Sequence, residues 1–459
     1  MHTNTSATAA VLRDWVRSLC PSDVLSRPVE TQPGCAALAW AASGAMDLTG
    51  RPDGAPTVSP AAAYGLLLET TEALARITAQ IGSEVRADPG LLLAGRAGLL
   101  NLRRGGQQTA GGAGRLLRTS DGWCAITLSR QDDIDSVPAI LGLEPVADDP
   151  WETLTAAARE WTATDLADRA QLLGVPAAVL PTAAHPATGL SDDAARPVAR
   201  PSAAPSATPR SQCPWQTSRI AQPVVGARLD GLVVVDLSSM WAGPLCAHLL
   251  GRAGARVIKV ESTRRPDGAR RGDPRFFDWL HGGHEQLAVD FHTPAGQETL
   301  RELVSTADVV IEASRPRAMA QLGLAPGDRV HRDGQVWLSL TGYGRAEPMR
   351  VAFGDDAAVA GGLVGWDGGE PVFCGDAIAD PLTGICAALA VCCAVLGGGG
   401  QLIDLSMRAT AAAFASAPAL THGPHRVLAD GADWVVECPH YGRSQRVLRP
   451  RVPQLGGVA

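Results

Sequence analysis

Apolar and polar positions follow two rhythms along this chain, and the change between them divides it. From residue 232 onward, short continuous apolar runs recur at regular intervals: Leu232 to Leu237, Arg256 to Val260, "LAVDF", "DVVIEA" and "VWLSLTGYG". Brief runs rich in Val, Ile and Leu and bounded by turn residues have the pattern of strands buried on both faces. Between them lie helix-period segments: the stretch after the Ala242-Gly243-Pro244 turn, "TPAGQETLRELVSTA" and "RPRAMAQLGL". Such alternation predicts an α/β fold with a parallel sheet and right-handed crossovers. Ligands of these sheets bind beyond the carboxyl ends of the strands. Those ends are Asp236 to Gly243, Glu261, Glu312 to Arg317, and Thr341 to Gly344.

Upstream the rhythm is mixed. "SPAAAYGLLLETTEALARITAQIG" predicts one long helix, and "WETLTAAAREWTATDLADRAQLLGV" predicts two. "RLLRTSDGWCAITLSR" predicts a hairpin turning at Ser120-Asp121-Gly122. Residues 185 to 216 are rich in Pro, Ala and Ser with no apolar period, as flexible connectors are. A loose internal echo also runs through the chain. A Gly-rich lead, a turn, a long apolar helix and a strand-like run ending in an Arg-Ala pair occur first around "SPAAAYGLLLETTEALARI" and "GLLLAGRAGLL". They recur around "ADPLTGICAALAVCCAVL" and "QLIDLSMRATAAA". We read this as duplication of one supersecondary unit.

Composition sharpens the class. With 459 residues the chain suits about two to four domains, and 46% apolar residues allow large cores. The net charge of -7 argues against a general nucleic-acid partner and leaves room for a local basic pocket. Ten cysteines are scattered, with Cys392-Cys393 the one close pair and no CxxC, so neither a zinc site nor a disulfide framework is suggested and no metal is expected. The first residues lack the order of a signal peptide, and "GICAALAVCCAVLGGGG" is too short to span a bilayer. The expectation is a soluble, cytoplasmic, reduced protein with no membrane partner.

The chemistry is suggested by "VAFGDDAAVAGGLVG", which sets Asp355 and Asp356 among small apolar residues. Carboxylates are seldom buried without a partner. From patterning alone, a helix cap at Ala357 is favoured over a catalytic carboxylate.

Wider motifs change that balance. "LDGLVVVDLSSMWAGPLCAHLLGRAGARVIKVE", "FFDWLHGGHEQLAVDFHTPAG", "ADVVIEASRPRAMAQLGL" and "VWLSLTGYGRAEP", in this order, resemble the class III coenzyme A transferases. That family includes formyl-CoA and carnitine CoA transferases and α-methylacyl-CoA racemase. "GRLLRTSDGWCAITLSR" and "WTATDLADRAQLLGVPAAVL" resemble its small domain, which normally follows the Rossmann-like part; here the order looks rearranged. The resemblance implies a Rossmann-like parallel-sheet domain plus a smaller α+β domain. Residues 1–184 would carry the small-domain-like segment, 185–222 a linker, and 223–459 the CoA-binding and catalytic part.

The resemblance also implies an activity and a site. CoA would move between an acyl-CoA and a small carboxylic acid, with no permanently bound cofactor, in a homodimer. The nucleophile would be Asp355, or Asp356 if the gap is placed one residue later. It would form an aspartyl anhydride and then an aspartyl-CoA thioester, with Gly361 and Gly362 offering backbone N–H groups to the oxyanion. Lys259, Arg264, Arg265, Arg315 and Arg317 would meet the nucleotide, and Trp241, Ala242 and Tyr343 the adenine or pantetheine. "HGGHEQL" departs from the family's Lys-Arg pair, and Gly354 stands where racemases carry a His. A racemase would therefore need His331 or His284 as its base. A third reading is a catalytically weak acyl-CoA-binding partner subunit.

Overall fold

The computed structural model describes residues 7–20, 34–143, 149–182, 213–420 and 422–454. In chain order its strands are β1 (Gly114–Arg118), β2 (Trp123–Thr127), β3 (Ala177–Val179), β4 (Trp215–Arg219), β5 (Val233–Asp236), β6 (Arg256–Ser262), β7 (Glu285–Val289) and β8 (Val309–Glu312). Then come β9 (Val336–Thr341), β10 (Gly365–Asp367), β11 (Glu370–Val372), β12 (Gln401–Ser406), β13 (Arg426–Asp430), β14 (Asp433–Cys438) and β15 (Arg443–Arg446). Seven of them form the principal sheet, ordered β4-β12-β9-β8-β5-β6-β7, and every pairing is parallel except β4 with β12.

Numbering the parallel strands one to six along the chain, the order from β7 to β12 is 3-2-1-4-5-6, that of the Rossmann fold. The order reverses between β5 and β8. The five apolar runs identified in the sequence are the parallel strands β5 to β9. Each leads through a helix to the next, because Val- and Ile-rich strands bury both faces only under helices on either side.

Two expectations change. "GLLLAGRAGLL" is not strand-like but the helix Pro89–Leu100. Asp88 caps it by accepting from the Leu91 N–H, and Pro89 opens it; both are helix-start chemistry. Most of the Pro/Ala/Ser stretch lies outside the described residues, but its end, expected to be linker to residue 222, forms the antiparallel edge strand β4. Trp215 anchors that strand in the core and donates its indole N–H to the Ser18 hydroxyl at 2.9 Å.

The core centres on the helix Ala379–Leu396. The sequence suggested that this stretch is too short to span a bilayer. The helix begins earlier, at Ala379, and by length and composition is apolar enough to cross one, yet it is buried almost throughout by the helices Ala61–Ile81, Ala242–Arg252 and Met407–Ala415. The two long helices of the sequence echo thus pack on each other. One hydrophobic core runs from Leu12 to Leu99 and on through Trp215 to Val447, so both parts of the chain build it. The hairpin β1–β2 turns where expected. With β3 and the helices Pro150–Ala158 and Ala163–Leu172 it makes a smaller unit, with its own core of Leu117, Ile126, Leu154 and Leu166. The cysteines are not all isolated, as the sequence had suggested. The sheet β13–β15 folds back on the helix Ala36–Ala42 and brings Cys438 to Cys35 beside His422 and His425.

Lys259, the single lysine, was expected at the nucleotide or as an exposed strand end. It is fully buried in the middle of β6. Its ammonium donates to the Ser238 carbonyl and to Asp267 at 2.9 Å, with Asp236 at 3.7 Å. Asp236, Asp267 and Lys259 thus tie the β5 loop to the loop after β6. The Asp236 carboxyl is pushed up by burial and drawn back by Lys259. Removing one partner of a buried ion network leaves uncompensated charge, at a cost of about 3–5 kcal/mol. Lys259→Met should therefore lower the stability measured by denaturant unfolding by that amount, and unchanged stability would contradict a structural role.

Candidate active site

The opening Asp355-Asp356 pair splits into two roles. The helix Gly354–Ala360 follows the carboxyl end of β9, and its turn packs under β2 and β3 of the smaller unit. Asp356 points inward and is fully buried. Its Oδ1 accepts the Phe353 N–H at 3.0 Å and the Thr127 hydroxyl at 3.3 Å. Its Oδ2 has no hydrogen-bond partner among the described residues, and burial holds the carboxyl well above the usual range. Asp356 is the cap and the tie to the hairpin.

Asp355 faces the other way and keeps a partly exposed edge. Its Oδ1 accepts the Ala377 N–H at 2.9 Å. Burial pushes its pKa up to about 7, and the neighbouring Asp376 adds to this against the pull of Arg96. Asp380 is likewise pushed up to about 7 by burial, although Arg96 and the amides of Ala242 and Gly354 lower it. Arg96 reaches in from the helix Pro89–Leu100 and forks onto the buried Asp376, with Nε at 2.9 Å from Oδ2. Burial works against its charge, but Asp376, Asp355 and Asp380 together raise its pKa. Its guanidinium also lies 5.2 Å from the centre of the Trp241 ring, which meets Phe276 edge-on. One guanidinium therefore faces three carboxylates. That imbalance leaves Asp355 as a desolvated carboxylate titrating near neutrality, as a nucleophile or base requires.

Gly354 is fixed by close approach. A Cβ there would lie 2.2 Å from the Ala377 carbonyl oxygen and 2.4 Å from Asp380 Oδ2. No His fits where the racemase pattern would place one. His331 is bonded to Gln335 and the Pro326 carbonyl just before β9, and His284 immediately precedes β7, so both lie at the amino edge of the sheet. Burial pushes His284 down to about 4, where it stacks edge-on with His281. Glu285, its neighbour, is paired with Arg256 at 2.6 Å.

The other sequence candidates divide between this site, the core and the crevice where strand order reverses. Trp241 and Ala242, the start of the helix Ala242–Arg252, belong to the Arg96 cluster. Gly361 and Gly362 close the far end of the helix Gly354–Ala360, donating to Ala357 and Val359; their N–H groups are engaged and do not serve an oxyanion. Tyr343 is packed in the core, its hydroxyl donating to the Ala177 carbonyl at 3.2 Å between Arg350 and Arg408, and it offers no open stacking face. Arg264 pairs with Asp290 at 3.0 Å.

Arg265, Arg315 and Arg317 are exposed beyond β6 and β8 and have no ion-pair partner among the described residues. They lie close enough to one another and to Arg130 of the smaller unit to lower the Arg315 pKa, after burial itself. Arg130 is engaged by Asp133, but three gathered arginines with no ion-pair partner among the described residues, at a Rossmann switch point, suit a phosphate-bearing ligand.

Sequence reasoning did not find Arg96, Asp376 or Asp380. The signal was present: a lone Arg inside the apolar "LLLAGRAGLL" and two acids in "CGDAIADP" ahead of an apolar helix are costly unless they meet.

Residues 229–437 match the sequence model of CoA-transferase family III. The chain is 33% identical over 202 residues to succinate–glutarate CoA-transferase of Agrobacterium fabrum, covering 39% of this chain and 50% of that protein. It is 31% identical over 197 residues to succinyl-CoA–D-citramalate CoA-transferase of Chloroflexus aurantiacus, covering 39% and 49%. The chain thus spans about half the length of these curated relatives. A CaiB/BaiF family protein from Brucella suis is 27% identical, with 47% of this chain and 66% of that chain covered and a TM-score of 0.40.

The division of labour between the two aspartates is open to test. Asp356→Ala removes a cap and a buried tie, and should cost about 1–2 kcal/mol of stability. Thermal unfolding checks this, and an unchanged midpoint would mean that the cap carries no weight.

Proposed function

We propose that this chain, whose residues 229–437 match the model of CoA-transferase family III, moves CoA between an acyl-CoA thioester and a small carboxylic acid, with Asp355 as the nucleophile. The observation that carries this reading is the Asp355 carboxylate itself: partly exposed, desolvated, and under-neutralised by Arg96. Desolvation strips the water that would otherwise blunt its attack.

In the first step an Asp355 oxygen attacks the thioester carbonyl. The C–S bond breaks, a mixed anhydride forms and CoA leaves as thiolate. The thiolate attacks the aspartyl carbonyl, giving the aspartyl-CoA thioester and releasing the donor's carboxylate. The acceptor carboxylate then attacks that thioester, forming a second anhydride and again freeing the thiolate. Attack of the thiolate on the acceptor's acyl carbon makes the new acyl-CoA and returns Asp355 as carboxylate. Acceptors are carboxylates throughout, and the succinate, glutarate and D-citramalate in the relatives' names support a small acid in that role.

The phosphates of CoA are assigned to Arg265, Arg315 and Arg317, at the same carboxyl edge of the sheet as Asp355. Arg264, which the sequence had grouped with Arg265, is engaged by Asp290. The racemase reading lacks the histidine base it was expected to need, since Gly354 leaves no room for one and both candidate histidines lie at the opposite edge.

Replacing Arg315 and Arg317 together with Ala should weaken CoA binding by about 1–3 kcal/mol and make it less sensitive to salt. Isothermal titration reads both, and unchanged affinity would put the nucleotide elsewhere.

Asp355→Asn should abolish exchange while leaving CoA affinity intact, because an amide cannot form the anhydride. Hydroxylamine added during turnover should convert residue 355 to a hydroxamate, visible by peptide mass. Only the ionised carboxylate attacks, so kcat/KM should fall about tenfold per pH unit below a break near 7 and level off above it. Full exchange by Asp355→Asn would remove the proposal.

A further inference from the structure

Away from this site, four side chains from distant parts of the sequence converge. Cys35 precedes the helix Ala36–Ala42, His422 and His425 lead into β13, and Cys438 ends β14. One potential ligand atom from each lies within 4.8 Å of all the others. Both cysteines are buried, and Cys35 Sγ is 3.0 Å from His425 Nε2. His422 Nε2 is buried with no hydrogen-bond partner among the described residues. The His422 ring is stacked on His440 at 4.9 Å and meets Tyr441 edge-on at 5.0 Å, which fixes its orientation.

We propose that Cys35, His422, His425 and Cys438 form a structural zinc site. Two thiolates and two neutral imidazoles are the donor set of closed tetrahedral zinc sites. With Zn–S near 2.3 Å and Zn–N near 2.0–2.1 Å, tetrahedral ligands stand about 3.3–3.8 Å apart, so the widest pairs must close by about an ångström while Cys35 and His425 open by about half an ångström. All four positions come from the protein, so no open coordination site is left for catalysis. Binding releases the two thiol protons, and the paired thiolate charges neutralise the divalent cation.

The surrounding fold gives the metal a purpose. The sheet β13–β15 is thin and largely solvent-facing, and Val436 and Cys438 are its fully buried side chains among the described residues. A three-stranded sheet with so little core needs a staple. Zinc would clamp it to the helix Ala36–Ala42 near the start of the chain. No linear motif announces this, because Cys35 is nearly four hundred residues from its partners; "HGPH" and the lone Cys438 are the remaining trace.

The test is metal content. The 459-residue chain, incubated with excess Zn²⁺ and dialysed against metal-free buffer, should retain one zinc per chain by plasma mass spectrometry. Cobalt substitution should give the intense visible bands of a tetrahedral sulfur-ligated ion. Cys35→Ser and His425→Ala should each retain about tenfold less zinc, or lower still. A chelator should lower the melting temperature of the wild type and speed proteolysis within residues 422–446, and should leave Cys35→Ser unmoved. Wild-type protein that keeps less than about a tenth of an equivalent, octahedral cobalt spectra, or a Cys35–Cys438 disulfide found by peptide mapping would each overturn the assignment. If the variants fail to fold, the chelator and cobalt measurements on the wild type decide.

Discussion

The helix Ala379–Leu396 must be covered on every side, and the rest of the structure follows from that requirement. Its side chains are apolar all round, so it cannot rest on a surface as an amphipathic helix does. The sheet domain supplies one cover, the helix Ala242–Arg252, and the first part of the chain supplies another, the helix Ala61–Ile81. Burial of this one helix therefore joins two parts of the sequence separated by a long Pro/Ala/Ser-rich stretch. It also carries Arg96, on the next helix along, to the start of the buried helix, where Asp376 and Asp380 wait.

That meeting sets the chemistry. A Rossmann-type sheet gathers loops at its carboxyl edge, but the loops alone do not tune a carboxylate. Tuning comes from packing three carboxylates where a single guanidinium is available. Asp376 takes the bidentate pair, and Asp355 and Asp380 are left partly uncompensated in an apolar setting. The folded state would be more stable if these acids were neutral side chains. Acids perturbed at a cost in stability cluster at functional sites, which is what marks this group as a candidate.

Lys259 and Arg265 show how position on one strand and its loop separates a buried tie from a solvent-facing charge. Lys259 lies within β6, is sealed by Asp236 and Asp267, and holds two loops in place. Arg265 lies past the strand end, where the chain meets solvent and other arginines. Both residues are basic and six apart in the chain, and the sheet edge between them decides which one can meet a ligand.

The sequence by itself determined the parallel strands β5 to β9, the β1–β2 hairpin, the long helices and the likeness to a CoA-transferase family. These rest on local signals: apolar runs, turn residues and ordered motifs, each contained within about thirty residues. It also marked the Asp355-Asp356 pair as unusual. Only the tertiary structure decided which aspartate caps and which faces the site, because the two differ in direction around a helix turn and not in neighbours along the chain. The same holds for Arg96, for the burial of Lys259, and for the meeting of Cys35 with Cys438. A lone charge or thiol reads alike in any sequence; its partner, and therefore its pKa and its role, is set by contacts across hundreds of residues that the packing of the core alone specifies.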